Sequence, residues 1–279
     1  MRRILLPLIV AVLPFGANPA DAQQRNTALT GLGGANEALV WQAVGRLDAN
    51  NTGFCTATLI APDLVLTAAH CVYSPRSGKP LKAEDLTFRA GLRNGSTAAE
   101  RQIAQIEAHT GYNPKQGSTV ENIRHDVALL RLEKPIPTHV LDPFVLFGER
   151  FAKGPVSVVS YGRGRAELPS RQSVCRMFDH YKGVILMDCD VTFGSSGAPV
   201  FSHKNGRGQI ISVVSSVGRY EGKKVSFGMV LPRLVADLKR QMRANAQNPL
   251  ASARKITINS GVSRTTSTGG AKFVRPGGS

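Results

Sequence analysis

The chain is punctuated into short, β-branched runs, and that punctuation limits its fold more than any other feature. Residues 40–47, 55–60 and 64–68 are separated by Asn50-Asn51-Thr52-Gly53 and Ala61-Pro62-Asp63, turn-forming clusters at hairpin spacing. Further strand-like runs follow at 86–90, 101–109 and 126–132, then at 156–160, 184–189, 198–202, 209–217 and 225–230. Strands arriving this often suit an all-β fold, antiparallel barrels or a sandwich, better than strand-helix-strand repeats. Residues 133–144, with Pro135, Pro137 and Pro143, form the natural connector between two halves. Beyond Pro232, Leu234, Val235, Leu238 and Met242 recur at helical spacing. Lys239, Arg240 and Arg243 fall in the last turns, where the helix dipole favours cations, so one terminal helix is expected over about 232–247.

The two ends have a different character. Arg2 and Arg3, an apolar stretch over 4–15 and then Ala20-Asp21-Ala22 have the layout of a secretory signal peptide, so residues 1–22 are expected to be removed on export. Pro7 and Pro14 interrupt the stretch, which falls short of the ~20 residues a bilayer crossing needs, and no membrane span is expected. Residues 23–38 read as an N-terminal segment or short propeptide. Residues 248–279 are rich in Ser, Thr, Gly and Asn, and Arg254, Lys255, Arg264, Lys272 and Arg275 face no acidic residue there. A solvated, disordered tail is expected, with polyanion contact as its alternative role. Between these ends there is material for one large or two small cores, since 42% of the 279 residues are apolar and 19% charged. The formal charge of +16 attracts acidic surfaces without naming a partner, and a monomer is expected.

Cys55, Cys71, Cys175 and Cys189 fall into two local pairs. In a secreted or periplasmic protein an even count reads as disulfides, and the absence of Cys-x-x-Cys weighs against zinc ligation. Of the possible pairings, the most economical joins Cys55 with Cys71 and Cys175 with Cys189. Each would close a loop of roughly 15 residues, worth about 3 kcal/mol by chain entropy.

Three stretches pair a reactive side chain with neighbours able to hold it. In Leu66-Thr67-Ala68-Ala69-His70-Cys71, small residues allow close packing and a crosslink next door would fix the backbone under His70. An imidazole accepts and returns a proton near neutral pH if its second nitrogen is oriented. In His125-Asp126-Val127-Ala128-Leu129-Leu130, an acid heads an apolar strand, and Asp126 would supply that orientation. In Gly194-Ser195-Ser196-Gly197-Ala198-Pro199, flanking glycines let the backbone turn sharply around Ser196, the candidate nucleophile. The amides of Gly194 and Ser196 would form an oxyanion hole. Singly these are ordinary features; the order His, Asp, Ser with Cys71 beside the histidine makes coincidence a poor account.

These segments resemble the active-site blocks of chymotrypsin-fold serine peptidases, Thr-Ala-Ala-His-Cys, Asp-Ile-Ala-Leu-Leu and Gly-Asp-Ser-Gly-Gly-Pro. The first block matches in full; Val127 replaces Ile in the second, and Ser195 and Ala198 replace Asp and Gly in the third. Those departures, and Trp41-Gln42-Ala43-Val44-Gly45-Arg46-Leu47 as a first strand, are similar to the bacterial glutamyl-endopeptidase-like branch. The likeness runs from about residue 39 to 243. It implies two six-stranded antiparallel β-barrels of the chymotrypsin type and a C-terminal α-helix. The peptidase domain would cover 39–247, with a first barrel over about 39–135 and a second over about 144–231. His70 and Asp126 would lie on the first barrel and Ser196 on the second, cleaving protein or peptide substrates with no metal or cofactor.

Two finer readings follow from the resemblance. Trypsin-branch enzymes pair the acid before the nucleophile with a newly cut N-terminal ammonium, and the hydroxyl of Ser195 cannot make that ion pair. Asp190 lies six positions before Ser196, where trypsin-like members place the acid that selects Arg or Lys before the cut. The strand 211–217 lacks the histidine that the related branch uses for glutamate, and Ser215 and Val217 are expected nearest a substrate backbone. His125 should point away from Asp126, and His109, His139, His180 and His203 sit in polar surroundings that favour the surface. An α/β-hydrolase is excluded, because Ala198 breaks its Gly-x-Ser-x-Gly elbow and no acid lies between Ser196 and the one later histidine, His203. The remaining alternative is a catalytically silent homologue that acts as a binding module.

Overall fold

The structure, a computed structural model, describes residues 26–50, 53–148, 154–203 and 208–247, so the expected signal peptide and basic tail lie outside it. A short strand β1 (Leu29–Gly31) and helical turn α1 (Ala35–Leu39) precede two barrels. The first closes in the order β2-β3-β4-β7-β6-β5, from β2 (Val44–Ala49), β3 (Gly53–Ala61), β4 (Leu64–Thr67), β5 (Leu86–Ala90), β6 (Ala99–Ala108) and β7 (Ala128–Leu132). The helical turn α2 (Val120–Ile123) interrupts the β6 to β7 connection. The second barrel is formed by β8 (Gly154–Gly162), β9 (Arg165–Tyr181), β10 (Val184–Met187), β13 (Lys223–Met229), β12 (Gln209–Tyr220) and β11 (Pro199–Ser202), which pairs back to β8. All of the ladders are antiparallel, and α3 (Pro232–Gln247) ends the described chain. The fold is therefore the two-barrel, chymotrypsin-like architecture.

Side-chain alternation explains the barrel strands. In β5, Leu86, Phe88 and Ala90 point inward while Thr87 and Arg89 do not. β4 is buried along its whole length, because it lies between β3 and β7 with other elements over its outer face. Three segments differ from the strand pattern read in the sequence. Trp41 precedes β2 in a turn rather than standing in a strand, and the run at 126–132 becomes strand only at Ala128. The latter shift follows from local bonding, since the Asp126 amide donates to Ile123 O and the Val127 amide to His125 O. The third difference is β9, whose polar sequence with Pro169 hides a long strand. Its Pro169 carbonyl still accepts from the Leu32 amide, and β1 lies along the same strand, with Leu29 opposite Gln172. The segment read as a possible propeptide is thus integrated from Thr27 to the buried Leu32.

The seam between barrels is aromatic. Trp41 stacks on Phe144 from the connector at 5.7 Å and meets Phe201 of β11 at 5.2 Å. Arg171 of β9 covers the same indole at 4.8 Å. Val235, Leu238 and Met242 of α3 join the large hydrophobic cluster that fills the first barrel and reaches into the second, and the helix docks on β6 and β7 although it follows the second barrel. Glu107 of β6, buried, accepts from Gln105, Gln241 and Asn245, so neutral amides meet a carboxylate where the helix docks.

Candidate active site

Antiparallel pairing brings His70 and Asp126 to one barrel end. Thr67, the last residue of β4, lies opposite Ala128, the first of β7, so the chain leaving β4 and the chain entering β7 emerge side by side. From β4 the backbone passes Ala68 into a single helical turn, Ala69–Val72, in which Ala69, Cys71 and Val72 are buried and His70 is left at the surface. Cys71 is bonded to Cys55 of β3, and the second disulfide joins Cys175 of β9 to Cys189. Both are the economical pairings.

Asp126 is held by three donors. Its Oδ1 accepts from the His70 amide at 2.8 Å; its Oδ2 accepts from His70 Nδ1 at 2.7 Å and from Ser215 Oγ at 2.6 Å. The carboxylate side chain is 4% exposed and the imidazole 33%, so the acid is sealed and the base faces solvent. Burial alone would lower the His70 pKa; the charge and hydrogen bond of Asp126 outweigh it and hold the pKa above the ordinary histidine value. With Nδ1 occupied by the acid, Nε2 is left for a second partner. Tyr73 and Tyr112, with rings 5.6 Å apart, lie nearby, and burial pushes the Tyr112 hydroxyl pKa up with Asp126 adding to the shift.

The loop carrying Ser196 is pressed against that same barrel end. Gly197 has φ of +77°, and a Cβ there would lie 2.2 Å from Thr67 Oγ1, 2.3 Å from Thr56 O and 2.9 Å from the Ala68 nitrogen. Only glycine allows the Ser196 loop to approach the residues leading into His70 so closely. At Gly194, with φ of +92°, an added Cβ would lie 2.4 Å from the Phe54 ring. Thr56, fully buried in β3, fixes the loop from the first barrel: its amide donates to Ser196 O at 2.8 Å and its hydroxyl to Gly194 O at 2.8 Å. The Gly197 amide donates to Val214 O at 2.7 Å. Among the described residues neither the Gly194 nor the Ser196 amide donates to a protein acceptor, which leaves both donors available to a ligand oxygen.

Ser195, fully buried, is bonded on several sides. Its hydroxyl accepts from the Thr192 amide at 3.2 Å and from Arg165 Nη2 at 3.1 Å, and it reaches Tyr161 O at 3.1 Å. Arg165 also donates through Nη1 to Ser160 O and through Nη2 to Ser160 Oγ at 2.9 Å. Desolvation pulls its pKa below the usual arginine value, with Asp190 opposing that trend.

The residues expected to bind substrate part company. Ser215 is buried with its hydroxyl on Asp126, whereas Val217 is exposed. β11 covers β12 only as far as Val213, and Val214 bonds to Gly197 and Ala198; from Ser215 onward no described strand lies on that edge. Asp190 is not sealed in a pocket: its side chain is 60% exposed and its carboxylate accepts from Lys224 Nζ at 3.1 Å. His125 turns away from Asp126 and stacks on His109, with rings 4.7 Å apart, which makes His109 a partly buried residue instead of a surface one. Cys55, His70 and Cys71 place candidate metal-ligand atoms within 4.8 Å of one another, but both sulfurs are committed to the disulfide. Thr56 and Arg165 carry no motif that sequence reading could have singled out. Thr56 is an ordinary strand threonine, and Arg165 is one of many basic residues.

Comparison with known proteins agrees with this layout. A Drosophila melanogaster protein named modular serine protease is 38% identical over 106 residues, 36% of this chain and 16% of that protein. Glucanase inhibitor protein 4 of Phytophthora infestans is 30% identical over 128 residues, 45% of this chain and 46% of the relative; the chain thus spans less than half the length of both. Serine protease SP24D of Anopheles gambiae is 27% identical over 233 residues, 76% of this chain and 79% of its own length. A solved Glu endopeptidase shares the fold, with TM-score 0.63 at 17% identity, covering 77% of this chain and 97% of that structure. The family model described as Trypsin matches residues 33–232, well over half of the sequence, and the chain belongs to the trypsin-like, chymotrypsin-fold family of serine proteases.

Proposed function

We propose that this protein is an active serine endopeptidase of an oxidising, extracytoplasmic compartment, either secreted or periplasmic. Ser196 Oγ attacks the substrate carbonyl carbon while His70 Nε2 takes its proton. The amides of Gly194 and Ser196 receive the developing oxyanion. Collapse breaks the C–N bond as the imidazolium protonates the leaving amine; water, deprotonated by His70, then releases the acyl group from Ser196. Asp126 holds the tautomer and stabilises the imidazolium. The observation that carries the reading is the sealed carboxylate that fixes both the amide and Nδ1 of a solvent-facing histidine.

The open edge of β12 from Ser215 supports an extended peptide as substrate, added as a further strand beside Val217. Selection of Arg or Lys by Asp190 has lost its support, because Lys224 already holds that carboxylate at the surface. Ser195 and Ala198 keep the glutamyl-endopeptidase-like branch as the finer assignment, on sequence likeness alone. A second reading, a silent homologue that binds rather than cuts, is favoured by the relative named as a glucanase inhibitor. A fluorophosphonate probe separates the two. Labelling at Ser196 that is abolished by Ser196→Ala supports the protease; a folded, unlabelled protein supports the binding module.

A further inference from the structure

In the hairpin that joins β8 to β9, Gly162 lies opposite Arg165 and the chain reverses over Arg163 and Gly164, whose φ is +77°. Gly162 leaves room for the returning side chain. A Cβ there would stand 2.9 Å from Arg165 Cζ and 2.8 Å from Thr192 Cγ2. The guanidinium therefore lies over its own hairpin and bridges Ser160 to Ser195 Oγ, the one side chain between Gly194 and Ser196. Among the described residues no carboxylate is bonded to it, although its partly buried position makes a charge expensive. A neutral side chain would pack there at lower cost, and a planar fork with several donors is what a rigid bridge between two segments needs. Of the N-terminal segment, the described residues 27–32 run along β9, where the Thr27 amide donates to Val174 O and the Leu32 amide to Pro169 O.

We propose that Arg165 is the positioning residue that holds the Gly194–Ser196 loop in its reactive shape, so that the oxyanion amides are set without a new N-terminal ammonium. The inference rests on the protease reading above. It makes the hairpin, and not a cleavage event, the element that gives the site its competence.

The test uses the full chain, a fluorophosphonate and a p-nitrophenyl ester. Arg165→Met is expected to lower the ester kcat and the labelling rate by about a hundredfold, comparable to loss of one oxyanion donor, with KM within about threefold. Arg165→Lys, which keeps the charge without the fork, is expected to recover part of that loss. Equal labelling of wild type and Arg165→Met overturns this inference alone, whereas an unlabelled wild type overturns the protease reading and this inference with it. A second measurement avoids any folding defect in the variants. Wild-type protein carrying an added N-terminal extension should keep its kcat within about twofold; a loss beyond about tenfold that is reversed by trimming the extension overturns the proposal.

Discussion

The two halves of the site are built by different means. On the first barrel, two strands in register deliver His70 and Asp126 to one edge, a disulfide anchors the turn that carries His70, and the acid is bonded by backbone and side chain alike. On the second, Ser196 sits on a loop whose shape comes from contacts distant in sequence and from the loop's own glycines: Thr56 holds it from across the seam, Arg165 from the β8–β9 hairpin, and Gly194 and Gly197 leave no room for a methyl group. His70 is thus fixed by regular structure and Ser196 by long-range docking. Such loops tolerate less substitution than strands, because each bond they lose has no neighbour in a ladder to replace it.

Several measurements press on this contrast. The largest effect is expected for His70→Ala or Ser196→Ala, each lowering kcat by on the order of a millionfold, because the pair acts as a unit. Asp126→Asn should lower kcat by about ten-thousandfold by misplacing the imidazole proton. Gly197→Ala comes next. The added methyl meets Thr56 O and Thr67 Oγ1 at a positive φ, so activity should fall by at least about a hundredfold as the loop shifts, while the first barrel keeps its fold by circular dichroism. If Gly197→Ala remains fully active, the docking account of the second half fails.

Smaller effects sharpen the comparison. Replacing Cys55 and Cys71 together should cost about 3 kcal/mol in denaturant unfolding, and replacing Cys175 and Cys189 a similar amount, but only the first pair anchors the turn under His70. A fall in kcat beyond what the unfolded fraction explains is therefore expected for the first pair alone. The pH profile gives the finest test. Since His70 must be neutral to accept a proton and Asp126 holds its pKa up, kcat/KM should rise with pH through a midpoint above the ordinary histidine value of about 6.5. The sign for stability is opposite. The charged pair contributes fully below the unfolded histidine pKa, and that contribution is lost as pH rises through the higher folded value.

What the sequence disclosed tracks the same division. The terminal helix, β5 and the His70 and Asp126 segments were legible because alternation and helical spacing are local signals. β9 was not, since its outward face is polar and Pro169 reads as a break; the barrel pairs it with β8, β10 and β1 regardless. Ser215 was placed near the cleft, but its bond to Asp126 joins residues 89 positions apart and leaves no mark on either neighbourhood. The same is true of Arg165 beside Ser195. Asp190 shows the converse failure. Position relative to Ser196 suggested a pocket, and Lys224 of β13, which nothing near Asp190 in sequence announces, takes up its charge.

The way α3 returns to the opposite barrel bears on biosynthesis. Val235, Leu238 and Met242 join a cluster many of whose members, from Leu32 to Leu141, are translated far earlier, and Glu107 waits for Gln241 and Asn245 to satisfy it. A nascent chain therefore carries an incomplete first barrel until residues 232–247 have emerged from the ribosome.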